Sequence, residues 1–119
     1  MADSRVSLII VSFNSHDDLS ECIPSLLGQP YPDCEVIVVD NNSTDETVSF
    51  LEQHYPSIKI IKNKENYGPA RGYNTGINAS RGKYVGLLNP DTVVAKDWLA
   101  ELIKVMEGDE GIAACQSYP

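Results

Sequence analysis

Three short polar clusters interrupt the apolar stretches of this sequence. Ser12, Phe13 and Asn14 form the first, Asp40, Asn41, Asn42 and Ser43 the second, and Asn89, Pro90, Asp91 and Thr92 the third. Hydroxyls and amides both donate and accept hydrogen bonds, whereas an ionised carboxylate only accepts, so the clusters are suited to holding a polar ligand. A basic run adds another kind of chemistry. Lys62, Lys64, Arg71, Arg81 and Lys83 stand against one acid, Glu65, a local +4 within a chain of net charge −8. Two readings stay open: a solvated helix face, or Arg71, beside Gly68 and Gly72, reaching toward a nucleotide with the guanidinium fork that pairs well with phosphate.

Two familiar phosphate cradles are missing. No G-x-G-x-x-G follows the first apolar run, which removes the main support for a dinucleotide-binding fold. Gly76 to Lys83 resembles a Walker loop only faintly, because five residues separate Gly76 from Gly82 and Tyr84 replaces the Ser/Thr.

The elements that must position these clusters follow from the apolar pattern. Runs rich in β-branched residues alternate with stretches of helical period, the mark of a βαβ progression around a buried parallel sheet. Strands are expected at Ser7 to Phe13, Glu35 to Asp40, Ile58 to Ile61, Tyr84 to Asn89 and Ile112 to Cys115. Leu19, Cys22, Ile23, Leu26 and Leu27 make the stripe of a first helix behind Ser15 as N-cap, with Pro24 expected to kink it. Ser43 and Glu46 have capping-box spacing for a second helix that buries Val48 and Leu51 and ends near His54. A third spans Ala70 to Ala79, weakened by Gly72 and Gly76. A fourth carries Leu99, Leu102, Ile103 and Met106 on one face and stops at Gly108. Each polar cluster then falls at the carboxyl end of a strand, where open α/β sheets bind ligands.

Composition narrows the class. The 119 residues, 42% hydrophobic and 22% charged, make one globular domain, residues 1 to 119. Net charge −8 disfavours a nucleic-acid partner. No apolar run approaches the ~20 residues of a membrane helix, and the N-terminus lacks the features of a secretory signal. Cys22, Cys34 and Cys115 form no C-x-x-C pair and read as idle thiols of a reducing compartment.

Four segments together resemble the N-terminal, nucleotide-sugar-binding half of family 2 inverting glycosyltransferases: SLIIVSFNS, EVIVVDNNSTDET, ENYGPARGYNTGI and GLLNPDT, in the family's order. The resemblance implies a GT-A fold, a Rossmann-like, mostly parallel sheet flanked by helices, represented here as far as about a fifth strand. It implies a nucleoside-diphosphate sugar as partner, with UDP or dTDP types favoured, and a saccharide or lipid-linked acceptor. The expected chemistry is inverting transfer in polysaccharide or glycoconjugate synthesis, in the cytoplasm or, for a full-length parent, at the cytoplasmic face of the membrane. Among the matching positions, Asp40 would accept a hydrogen bond from the ring N–H of uracil or thymine; its competing reading is an acidic cap of the next helix. Ser12, Phe13, Asn14, Asn42, Arg71 and Asn89 complete the nucleotide-sugar site, with Phe13 equally readable as core. Asn74 and Gly76 match a recurrent N-x-G or simply shape their helix. Asp91 would ligate Mg2+ or Mn2+ on the donor's diphosphate, or else serve as a turn residue.

The sequence departs from the family pattern in two ways. Asn89 replaces the first Asp of the D-x-D motif, so metal affinity without nucleotide should be weak. No residue after Asp91 has a claim to be the general base, which is therefore expected beyond residue 119, and self-association is expected of a sheet left partly uncovered. The alternatives are a non-catalytic nucleotide-binding module of the same fold and a sugar-nucleotide nucleotidyltransferase. The latter would want a Gly-, Arg- and Lys-bearing loop where SFNSHDD stands.

Overall fold

The computed structural model describes residues 6–31 and 33–109. Its elements alternate as β1 (Val6–Ser12), α1 (His16–Leu27), β2 (Cys34–Asp40), α2 (Thr47–His54), β3 (Lys59–Lys62), α3 (Pro69–Ala79), β4 (Tyr84–Leu88) and α4 (Trp98–Gly108). The strands form one sheet in the order β3-β2-β1-β4, every pair parallel. The chain steps outward from β1 to β3 and then crosses back to lay β4 on the other side of β1. The strand order reverses between β1 and β4, and the sheet is the α/β architecture expected from the sequence. The expected strand at Ile112 to Cys115 lies outside the described residues.

Alternation along the central strands divides the core in two. Val6, Leu8 and Ile10 of β1, with Val36 and Val38 of β2, pack against Leu19, Cys22, Ile23 and Leu26 of α1, Leu51 of α2, and Leu99 and Ile103 of α4. On the opposite face Ile9, Ile37 and Val39 meet Val11, Ile61 and Tyr73. Burial pushes both described thiols up to about 11; Asp91 and then Asp18 add to the effect at Cys22, and Glu35 does so at Cys34. Protonated thiols are poor nucleophiles.

Local details differ from expectation for identifiable reasons. The first helix continues through Pro24, and its last turn closes with Gly28 N–H donating to the Pro24 carbonyl at 3.0 Å. The second helix starts at Thr47, not after Ser43, because the Ser43 hydroxyl is engaged by Asp40 and by the Asn14 amide. The basic run does not form one patch. Lys62 pairs with Glu52 at 3.0 Å and Arg71 lies 4.0 Å over the Tyr67 ring, while Arg81 and Lys83 sit at the opposite end of the sheet, ahead of β4.

Glycine shapes α3 more than it weakens it. A Cβ on Gly76 would lie 2.4 Å from Ile9 Cγ2, and one on Gly72 2.7 Å from Val11 Cγ1. These two glycines, one turn apart, let the helix backbone rest directly on β1. Beside that contact, Ile77, Val85 and Leu87 leave an exposed apolar strip.

Gly76→Ala tests the close approach. Helix propensity would favour alanine by about 1 kcal/mol, but overpacking a tight interface costs about 1–3 kcal/mol. Thermal unfolding should therefore show a lower Tm for Gly76→Ala, and a higher Tm would show that the interface has room.

Candidate functional site

The carboxyl ends of β1, β2 and β4 form one edge of the sheet, and the polar clusters lie along it. Ser12 and Asp40 are register partners at the ends of β1 and β2. Asp40 is 2% exposed. Its Oδ1 accepts from the Ser12 hydroxyl at 3.0 Å and the Ser43 hydroxyl at 2.6 Å, and its Oδ2 accepts from Ser43 N–H at 2.9 Å. Two donors fill the lone pairs of Oδ1, and one acceptor position remains on Oδ2. Asp40 is thus the anchor of its loop and not the cap of the next helix, a role for which α2 begins too late.

Asn14 ties the first loop to the second. Its Oδ1 accepts from Thr44 N–H at 2.7 Å and Asp45 N–H at 3.2 Å, and its own N–H donates to the Ser43 hydroxyl at 2.9 Å. Asn14 and Asn42 both take positive φ, 48° and 65°, a conformation that asparagine tolerates better than most residues. At Asp45, burial works to raise the carboxyl, but hydrogen bonds from Thr47 and the nearby His16 hold it below its ordinary value.

Asn41 and its partner Asn63, neither of them among the expected site residues, complete the scaffold. Asn41 is buried; its N–H donates to the Ser12 carbonyl at 2.8 Å, its Nδ2 to the Gly68 carbonyl at 3.1 Å, and its Oδ1 accepts from Asn63 Nδ2 at 2.9 Å. It joins β1, the end of β3 and the start of α3. The available signal was its place in the second polar cluster, but no local spacing reveals partners 22 and 27 residues away.

Phe13 is 45% exposed at the rim, which removes its reading as core. Arg71 lies in the first turns of α3, which starts at this same edge, with its guanidinium stacked on Tyr67. Asn74 points to solvent one turn further on. Asn89 and Asp91 are both exposed in the turn after β4, where Thr92 N–H donates to the Asn89 carbonyl at 3.1 Å. The segment beyond is fastened to α1 and the loop after it: Val94 N–H donates to the Ser25 hydroxyl, Gln29 Nε2 to the Ala95 carbonyl at 2.7 Å, and Leu99 N–H to Gln29 Oε1 at 3.0 Å.

Among the described residues no group of three or more His, Cys, Asp or Glu side chains could hold a metal. The Asp91 carboxylate and Asn89 amide are nevertheless hard oxygen donors of the kind Mg2+ and Mn2+ take. Two such groups fit a cation that draws its other ligands from phosphate and water.

A parallel sheet with polar residues gathered at the carboxyl ends of the strands, on both sides of the reversal, is the arrangement in which open α/β proteins bind ligands. The chain belongs to glycosyl transferase family 2, whose description it matches over residues 7–119. It is 34% identical over 116 residues to an uncharacterized glycosyltransferase of Haemophilus influenzae, covering 95% of this chain and 36% of that protein. The fold is similar to S. aureus TarS 1–349 in complex with UDP-GlcNAc, with a TM-score of 0.81, 25% identity, and coverage of 95% of this chain and 37% of that one. It is also similar to a mannosyltransferase from Pyrobaculum calidifontis in complex with GDP-Man and Mn2+, with a TM-score of 0.78, 28% identity, and coverage of 89% and 33%. The chain thus spans about a third of the length of each of these three relatives.

The Asn14 staple can be probed by hydrogen exchange. In Asn14→Ala and Asn14→Gly the amides of Thr44 and Asp45 should exchange faster, having lost their acceptor. Alanine should destabilise the chain more than glycine, by about 0.5–1 kcal/mol, because only glycine accepts the positive φ freely. Unchanged exchange at both amides would remove Asn14 from this role.

Proposed function

We propose that this chain binds a nucleoside-diphosphate sugar across the β1–β4 reversal and serves as the donor half of an inverting glycosyltransferase. The observation that carries this is the placement of Ser12 and Asp40 on one side of the reversal and Asn89 and Asp91 on the other, along one sheet edge. Its support from relatives is family membership together with structural neighbours bound to UDP-GlcNAc and GDP-Man.

Within this reading each residue has a physical task. The free acceptor position on Asp40 Oδ2 faces a ring N–H, which favours uracil or thymine over cytosine, whose ring nitrogen is itself an acceptor. Ser12 and Ser43 hold that carboxylate in place. Phe13 and Asn42, exposed at the rim, border the base and ribose, and Arg71 offers a cation toward the diphosphate. Asp91, with Asn89, holds Mg2+ or Mn2+. A divalent cation bound there would neutralise charge on the diphosphate leaving group. The acceptor, a saccharide or lipid-linked hydroxyl, and the general base belong to the part of the family fold that these 119 residues do not span.

Calorimetric titration of the 119-residue chain with UDP and CDP, with and without Mn2+, tests this function. UDP should bind more tightly than CDP, and Mn2+ should tighten UDP. Asp91→Ala should abolish the metal-dependent gain, a loss of about 1.5–3 kcal/mol for a contact to a charged group. Retention of the full gain in Asp91→Ala would remove Asp91 as the ligand, and equal binding of UDP and CDP would remove Asp40 as the base reader.

A further inference from the structure

Tyr73 links the face of the sheet under α3 to the turn that carries Asn89 and Asp91. Its ring packs on the cluster of Ile9, Ile37 and Val39, and Gly72 beside it seats the helix on β1. The phenol oxygen is therefore placed by apolar packing, independently of the turn it touches. It lies 2.7 Å from the Leu88 carbonyl oxygen and 3.3 Å from Asn89 Oδ1.

The phenol has one proton to donate. A backbone carbonyl cannot donate, and it is the nearer partner, so the proton goes to Leu88. The contact with Asn89 then sets two acceptors against each other for as long as Oδ1 occupies that place. A half-turn of the amide, whose oxygen and nitrogen are alike in shape, replaces the clash with an N–H···O bond.

Resting on the donor-binding reading, we infer that Tyr73 is a positioning residue for that site: it holds the Asn89 amide with Nδ2 toward the phenol and leaves Oδ1 free as an oxygen donor for the cation on the diphosphate. With asparagine in place of a carboxylate, this orientation matters. An amide that presents its NH2 to a cation repels it, whereas one that presents oxygen can ligate it. An aspartate would need no such control, because either oxygen would serve.

Two measurements on Tyr73→Phe, which keeps the ring and removes only the hydroxyl, test the inference. In NMR spectra of the metal-free chain, the Asn89 side-chain NH2 signals, assigned by their loss in Asn89→Ala, should shift and exchange faster with water, while those of Asn14 and Asn41 stay in place. In titrations with UDP, the gain in affinity on adding Mn2+ should fall about three- to tenfold, the scale of one hydrogen bond, with metal-free UDP affinity unchanged. In an Asn89→Ala background Tyr73→Phe should have no further effect on that gain. Unmoved Asn89 signals, a full metal gain in Tyr73→Phe, or the same loss with and without Asn89 would each overturn the inference while leaving the donor site intact. Failure of Mn2+ to tighten UDP binding to the unsubstituted chain would overturn the donor-binding reading itself and this inference with it.

Discussion

A carboxylate at the end of a central parallel strand can be buried only if donors reach it, because desolvating an unpaired charge costs several kcal/mol. Asp40 recruits its donors from a strand and a loop: the hydroxyl of Ser12 from the neighbouring strand, and the hydroxyl and N–H of Ser43 from the loop that follows its own. Meeting that requirement fixes the path of the chain after β2. Ser43 is held against the strand end and cannot start a helix, the amides of Thr44 and Asp45 turn toward Asn14, and α2 begins only when Asp45 accepts from Thr47. Asn41 extends the same logic to Asn63 and Gly68, so that one sheet edge becomes a continuous hydrogen-bonded surface.

The other side of the reversal is positioned by packing. Gly72 and Gly76 bring α3 so close to β1 that the helix backbone lies against the Val11 and Ile9 side chains. β4 then lies beside β1 with Leu87 opposite Ile9, and the Tyr73 phenol reaches the Leu88 carbonyl at its end. From the opposite face, Ser25 and Gln29 hold the segment that leaves the turn. The turn with Asn89 and Asp91 is thereby held from both layers, although both side chains are exposed. Such support from rigid elements is what a loop needs to keep a binding geometry.

The strands were legible because their apolar runs are long and β-branched, and the reversal was legible because the polar clusters follow the strands that flank it. What the sequence hid was long-range or close-range competition. The Ser43–Glu46 spacing is a sound capping signal, but a carboxylate three residues earlier competes for the same hydroxyl. Glycine in a helix reads as a propensity defect until the distance to Ile9 is known. The basic run is contiguous in sequence, yet α3 carries its two ends to opposite edges of the sheet. Gln29 and Asn63 have no local pattern at all; they matter only through partners that the fold supplies.

Charge decides how the donor site of the proposed function would work. The chain carries net charge −8, and its third polar cluster offers one carboxylate where two would bind a cation more strongly. A site with a single carboxylate and an amide holds a divalent ion weakly by itself, yet the ion's remaining positions suit the oxygens of a diphosphate. Nucleotide and cation would then bind cooperatively, since each supplies what the other lacks, and by linkage the cation tightens the nucleotide as much as the nucleotide tightens the cation. Arg71 and Lys64, exposed near the same edge, oppose the overall negative field locally, but such exposed charges are screened within about 10 Å at 0.1 M salt. An ion held in contact between the diphosphate and Asp91 would escape most of that screening, and the orientation of one neutral amide beside it would then be consequential.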